Sequence, residues 1–231
     1  MNLGKGTDTA FLLIALLLIS SSLMFAACQS LQEPKSHVAD NRWICPESAD
    51  MPLRQGLFEE AVEQHLNVLT QQPDNGLAHY HLGYAYGQLG LQADEIAEYL
   101  KAIDLGQTSG HLFYNLGMAY MEVDQYEHAE QAFHRAVDME PESGENHRAL
   151  GMIHYKLEHF QDAAVACRQA TILEPNDPDG WHCLALASAK ANQVGESWTA
   201  VKRLRKLDPD YRLDPVLFEL FPSESSETGA Q

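Results

Sequence analysis

Eleven histidines and four cysteines are the residues of this 231-residue chain best suited to hold a metal or attack a substrate, so their spacing decides what chemistry is open to it. No familiar arrangement is formed. There is no Gly-x-Ser-x-Gly elbow, no glycine-rich phosphate loop, no His-Glu-x-x-His pair and no cysteine pairs at zinc-binding spacing. His147 and His154 lie seven residues apart, about 10 Å along a helix and too far to share an ion unaided. His79 and His81 are two apart and point to different faces. The sequence therefore predicts no catalytic residue, no metal and no cofactor. Of the cysteines, Cys28 belongs to an N-terminal signal treated below, leaving Cys45, Cys167 and Cys183, which cannot all pair within one chain. For Cys167 and Cys183, an oxidised pair and two small buried thiols are both open. The buried thiols are the plainer reading, because disulfide geometry is strict.

What must position these side chains is a repeat. His79 to Tyr86, Phe113 to Tyr120, His147 to His154 and Trp181 to Ser188 recur at a constant spacing of 34 residues. Leu82-Gly83, Leu116-Gly117, Leu150-Gly151 and Leu184-Ala185 fall at the same offsets. Later in each unit come Glu95, Ala129, Ala163 and Ser197, then Tyr99, Phe133, Cys167 and Val201, and three units end in Pro141, Pro175 and Pro209. A fixed period of this size marks an array of short supersecondary units. Leucines and aromatics at helical spacing give two amphipathic helices per unit. Glycine inside a helix costs roughly 1 kcal/mol against alanine, so Gly83, Gly117 and Gly151 predict a close helix contact, and the prolines predict the turns between units. His79 and His147 occupy the repeat's aromatic offset, which packing explains.

This pattern over residues 76 to 211 resembles the tetratricopeptide repeat, whose units carry an aromatic, Leu-Gly, Tyr, then Ala, Phe and Pro over the same length. The resemblance implies an all-α, right-handed superhelical solenoid with units at 76–109, 110–143, 144–177 and 178–211. Ahead of them, Pro46 and Pro52 should break a first helix and leave a half repeat over 53–75 with one helix from Leu53 to Gln71. In the 76–109 unit, Glu95 and Gln107 replace the usual alanine and proline, so its second helix should shift or pack less tightly. A short helix in Asp214–Phe221, within 212–221, should cap the far end, and 222–231 reads as a disordered tail.

The first 27 residues have the basic start, apolar run and small-residue end of a secretory signal. Phe25-Ala26-Ala27-Cys28 resembles the lipobox of bacterial lipoproteins, which implies lipidation at Cys28 and, with Gln29 following, anchoring at the outer membrane. A cleaved soluble form and an uncleaved anchor are the other readings. Residues 28–52 then form a linker. The formal net charge of −18 repels nucleic acid and anionic headgroups, so membrane contact is expected through the anchor alone.

In tetratricopeptide arrays the first helices line a concave groove. By that resemblance the groove here takes Tyr80 and Tyr84 from one unit and Tyr114, Met118 and Met121 from the next. Arg148, Met152 and Tyr155 follow, then His182 with Asp179 and Leu186 beside it. Tyrosine and methionine suit an extended or helical peptide with apolar side chains. The rival reading makes part of this stripe helix packing, with Tyr84 and Met118 turned inward. Tyr80-Tyr84 and Tyr114-Met118 do not supply the Lys and Asn of the carboxylate clamp known in some of these domains. The expected function is a membrane-anchored scaffold for protein–protein interaction in the bacterial envelope, such as assembly of a pilus or secretion complex. The alternative is an envelope enzyme or an accessory subunit of one.

Overall fold

In the computed structural model, which describes residues 44–212 and 214–221, the regular structure is helical: α1 (Glu47–Gln55), α2 (Phe58–Gln71), α3 (Gly76–Gln88), α4 (Gln92–Asp104), α5 (Gly110–Glu122), α6 (Tyr126–Met139), α7 (Gly144–Lys156), α8 (Phe160–Leu173), α9 (Pro178–Lys190), α10 (Val194–Leu207) and α11 (Pro215–Leu220). The expected signal peptide, Cys28 and its linker as far as residue 43, and the tail from 222 onward lie outside the described residues.

Local chemistry sets the helix boundaries at the repeat's own interval. Asn75, Ser109, Ser143 and Asp177 start α3, α5, α7 and α9, each accepting a backbone N–H of the first turn at 3.0 to 3.2 Å. Such caps satisfy donors that the helix itself leaves unpaired. Between the two helices of each unit stands one residue with positive φ: Gly56, Gly90, Asp124, Glu158 and Asn192. Between units, the residue at the aromatic offset closes the turn. His79 Nε2, His147 Nε2 and Trp181 Nε1 lie 3.1, 2.9 and 3.0 Å from the carbonyl oxygens of Pro73, Pro141 and Pro175. Tryptophan can only donate there, so three of the four units use a ring N–H at this offset, and Phe113 in the remaining unit supplies only the ring.

The central glycines permit close approach. A Cβ added at Gly83 would lie 2.7 Å from the Tyr99 ring, at Gly117 2.6 Å from Phe133, and at Gly151 2.5 Å from the Cys167 sulfur. Tyr99, Phe133, Ile153, Val201 and Leu204 are fully or almost fully buried along the axis of the stack. At Cys167 the aromatic of the two preceding units is replaced by a disulfide to Cys183, with Cα atoms 5.6 Å apart, which joins α8 to α9. This corrects the plainer expectation of two buried free thiols.

Two further expectations change. The half repeat over 53–75 is a helix pair, and its first member, α1, begins inside the stretch read as linker. Pro46 precedes α1 and does not interrupt it, while Pro52 forfeits one backbone bond but is buried with Ala49. Gly56, in the left-handed region at φ 72°, ends α1, with Leu57 N–H reaching Pro52 O at 2.9 Å. In the next unit α4 stops at Asp104, one residue earlier in register than α6, α8 and α10. Gly106, at φ 92°, turns the chain where the other units use proline. At the far end α11 caps the array, with Leu217 fully buried against α9 and Phe221 5.0 Å from the Trp198 ring.

Candidate functional site

Helices α3, α5, α7 and α9 touch one another in succession as well as their own partners, so the side chains on their open side share a single face. The residues expected to line it fall into two groups.

Toward the N-terminus most of them serve packing. The Tyr80 ring lies 5.8 Å from Tyr99, and its hydroxyl accepts a hydrogen bond from Asn115 Nδ2 at 3.3 Å. Tyr114 meets Phe133 edge-on at 5.9 Å and bonds Glu145, and burial pushes its hydroxyl up to about 12. Met118 and Met121 pack against the cluster of Ala129, Phe133 and Ile153. Tyr84 is the exception, exposed and meeting the edge of Phe58 at 6.4 Å.

Toward the C-terminus the picture reverses. Arg148, Met152 and Tyr155 of α7 and His182 of α9 line one cavity of about 400 Å³, completed by Lys156, Asp179, Cys183 and Leu186. Met152, Tyr155 and Leu186 give it an apolar wall, and Met152 is exposed. Two of its polar atoms, Arg148 Nε and His182 Nε2, are buried without a hydrogen-bond partner among the described residues. The Arg148 guanidinium sits between Glu145 at 3.9 Å and Asp177 at 3.7 Å. The His182 ring rests 5.6 Å from Tyr211. Burial lowers the His182 pKa, against the opposing pull of the Asp214 and Asp179 carboxylates. The lining holds no serine, threonine or free thiol, since Cys183 is bonded to Cys167.

Sequence reasoning missed Lys156 and Cys183, which follow the last groove offset of one repeat and the central offset of the next. It also missed a second hollow of about 660 Å³, lined by His134, His147 and His154 with the exposed Val165 and Ile172. Its Arg168 is already committed to Glu196 through two bonds of 2.6 and 2.7 Å.

A family model described as tetratricopeptide repeat matches residues 52–110 and 114–180, more than half of the chain. The chain belongs to the tetratricopeptide repeat family. Among curated proteins none matches in sequence. Among solved structures, MamA aligns with a TM-score of 0.67 at 23% identity, over 72% of this chain and 97% of that one. MamA from Desulfovibrio magneticus RS-1 aligns at 0.62 and 20% identity, covering 77% and 93%. YrrB, a tetratricopeptide repeat protein with an unusual peptide-binding site, aligns at 0.67 and 19% identity, covering 80% and 93%. At these identities the likeness is one of fold: an all-helical stack of helix-turn-helix repeats.

Proposed function

We propose that this tetratricopeptide scaffold captures a protein partner by seating a short apolar segment of it in the cavity between α7 and α9. The carrying observation is that an apolar wall of Met152, Tyr155 and Leu186 stands beside two buried nitrogens that make no hydrogen bond among the described residues, Arg148 Nε, 3.7 Å from Asp177, and His182 Nε2. A buried polar atom left unsatisfied costs about 1–3 kcal/mol, which a polar group of the partner recovers on binding. YrrB, with its peptide-binding site on the same fold, supports peptide capture by such an array. The lining offers no serine, threonine or free thiol, and scaffolds of this family are typically non-enzymatic.

The setting we propose is the periplasmic face of a bacterial membrane, with the outer membrane favoured. The chain is held there through lipidated Cys28, and the partner is a component of an envelope assembly such as a pilus or secretion complex. The signal-like N-terminus supports this reading, as does the Cys167–Cys183 bond, because disulfides persist in oxidising compartments.

Photo-crosslinking decides whether the cavity is the docking site. A crosslinking residue placed at Met152 should trap a partner that the same residue at Val165, outside the cavity, does not. The double variant Arg148→Ala with Met152→Ala should then weaken that partner's affinity about thirtyfold, the scale of losing anchors worth roughly 2 kcal/mol, with unchanged helicity. Full affinity in the double variant would move recognition elsewhere.

A further inference from the structure

Helices α1, α2 and α3 bring together four side chains that the repeat pattern does not require. Cys45 lies just ahead of α1, Asp50 on α1, His65 on α2 and His81 on α3, and one ligand atom from each falls within 4.8 Å of every other. Asp50 Oδ1 stands 2.9 Å from His81 Nδ1 and 3.4 Å from His65 Nε2. The two imidazoles meet edge to face at 5.3 Å.

His65 identifies what belongs between them. Its side chain is fully buried, and its Nδ1 lies 2.8 Å from the Ala61 carbonyl oxygen. A carbonyl only accepts, so Nδ1 carries a proton and Nε2 is the nitrogen turned toward the cluster. Among the described residues Nε2 makes no hydrogen bond, and it stands 3.4 Å from the Asp50 carboxylate. A cation held between this nitrogen and the carboxylate would satisfy both. The bond from Nδ1 to a backbone carbonyl is also the outer-sphere contact that orients metal-binding histidines.

We infer that Cys45, Asp50, His65 and His81 form a four-coordinate site for a divalent transition metal of the zinc type. One sulfur, two imidazoles and one carboxylate match the donors zinc takes in tetrahedral sites. Bonds of about 2.0 to 2.3 Å would set the donors roughly 3.3 to 3.8 Å apart, so closing the site needs side-chain shifts on the order of 1 Å. The frame is already fixed. Asn75, the cap of α3, donates from Nδ2 to the Ile44 carbonyl at 2.9 Å and pins the segment that carries Cys45. Cys45 packs on Ala49, Val68 and Ala78. The metal would clip the nine-residue α1, with its internal proline, onto α2 and α3, covering the N-terminal end of the stack as α11 covers the other. Glu130, His154 and His159 form a second, three-ligand group on the described residues, but His159 is largely exposed there.

The test titrates the full chain, in mild detergent and with its disulfide intact, first with Co²⁺ and then with Zn²⁺. One equivalent of Co²⁺ should bind, with a thiolate-to-cobalt charge-transfer band and the visible bands of a tetrahedral ion, and Zn²⁺ should displace it and raise the melting temperature by several degrees. Cys45→Ser should remove the charge-transfer band, which separates Cys45 from Cys28, and His81→Gln should weaken binding at least ~10-fold. Glu130→Gln with His159→Gln should change neither. The parent's own cobalt spectrum settles thiolate ligation even where a variant folds poorly. Absence of saturable binding at micromolar Co²⁺, a spectrum without the thiolate band, or loss of binding only in the Glu130 and His159 variant would each overturn the proposal.

Discussion

Glu95 occupies an offset that the later repeats fill with Ala129, Ala163 and Ser197, and the residue facing it explains how a carboxyl fits. A Cβ on Gly87 would collide with the Glu95 carboxyl, so the missing side chain on α3 makes its room. Tyr99 bonds the same carboxyl from one turn on. Burial, outweighing the Tyr99 bond and helped by the Glu122 charge, raises the Glu95 pKa from 4.5 to about 7. Between those values the folded chain holds a proton that the unfolded chain has released. The carboxyl therefore contributes stability that is fully present below about pH 4.5 and is lost as the pH rises through about 7. Glu95→Gln keeps the neutral shape, so it should melt with the parent near pH 5 and above it near pH 8, a gap on the order of 1–3 kcal/mol. An offset of the same size at both pH values would show that Glu95 is ionised in the folded protein throughout.

Between helices, the same small-against-large contact is made three ways. Gly83 faces Tyr99 and Gly117 faces Phe133, but Gly151 faces a pair of sulfurs, with its added Cβ 2.5 Å from that of Cys167 and 3.2 Å from that of Cys183. A ring can tilt to admit a methyl group, whereas a sulfur bonded across to the next repeat is held at both ends. Gly151→Ala should therefore cost about 1–3 kcal/mol by overpacking. Removing the crosslink should cost about 3 kcal/mol by itself, given its 16-residue separation. The two losses should not add. In a Cys167→Ala, Cys183→Ala background the Gly151→Ala penalty in thermal unfolding should fall by ~1 kcal/mol or more, the coupling expected of residues in contact. Equal penalties in both backgrounds would mean the sulfurs are not what Gly151 leaves room for.

At the scale of the whole molecule, the formal charge of −18 and the proposed anchor divide the work of localisation. An acidic surface is repelled by anionic headgroups, so membrane attachment should depend on the N-terminus. Cys28→Ser should leave the helical content and melting of the array as they are and move the protein from the membrane fraction to the soluble one, because the acyl chains supply the attachment. Retention of the variant after a carbonate wash would point to an uncleaved apolar span or to a partner already in the membrane.

The sequence by itself determined the helical array, its period and its close contacts, because those depend on local spacing: leucine and aromatic stripes, a small residue facing a large one, and proline between units. The caps at Asn75, Ser109, Ser143 and Asp177 and the left-handed residues from Gly56 to Asn192 were equally legible at that interval, though they went unread. What only the tertiary structure decided was which equivalent positions do different work. Met118 and Met152 stand at the same groove offset, yet Met118 packs against the cluster around Phe133 while Met152 stays exposed, since the space beside each depends on the neighbouring repeat. Proline spacing spoke against α1, but burial of Ala49 and Pro52 against the rest of the stack offsets the lost backbone bond. Cys45, Asp50, His65 and His81 span 37 residues with no motif spacing, and the Cys167–Cys183 pair crosses a repeat boundary. Both groupings arise from how one helix lies on the next, which a pattern read along the chain does not contain.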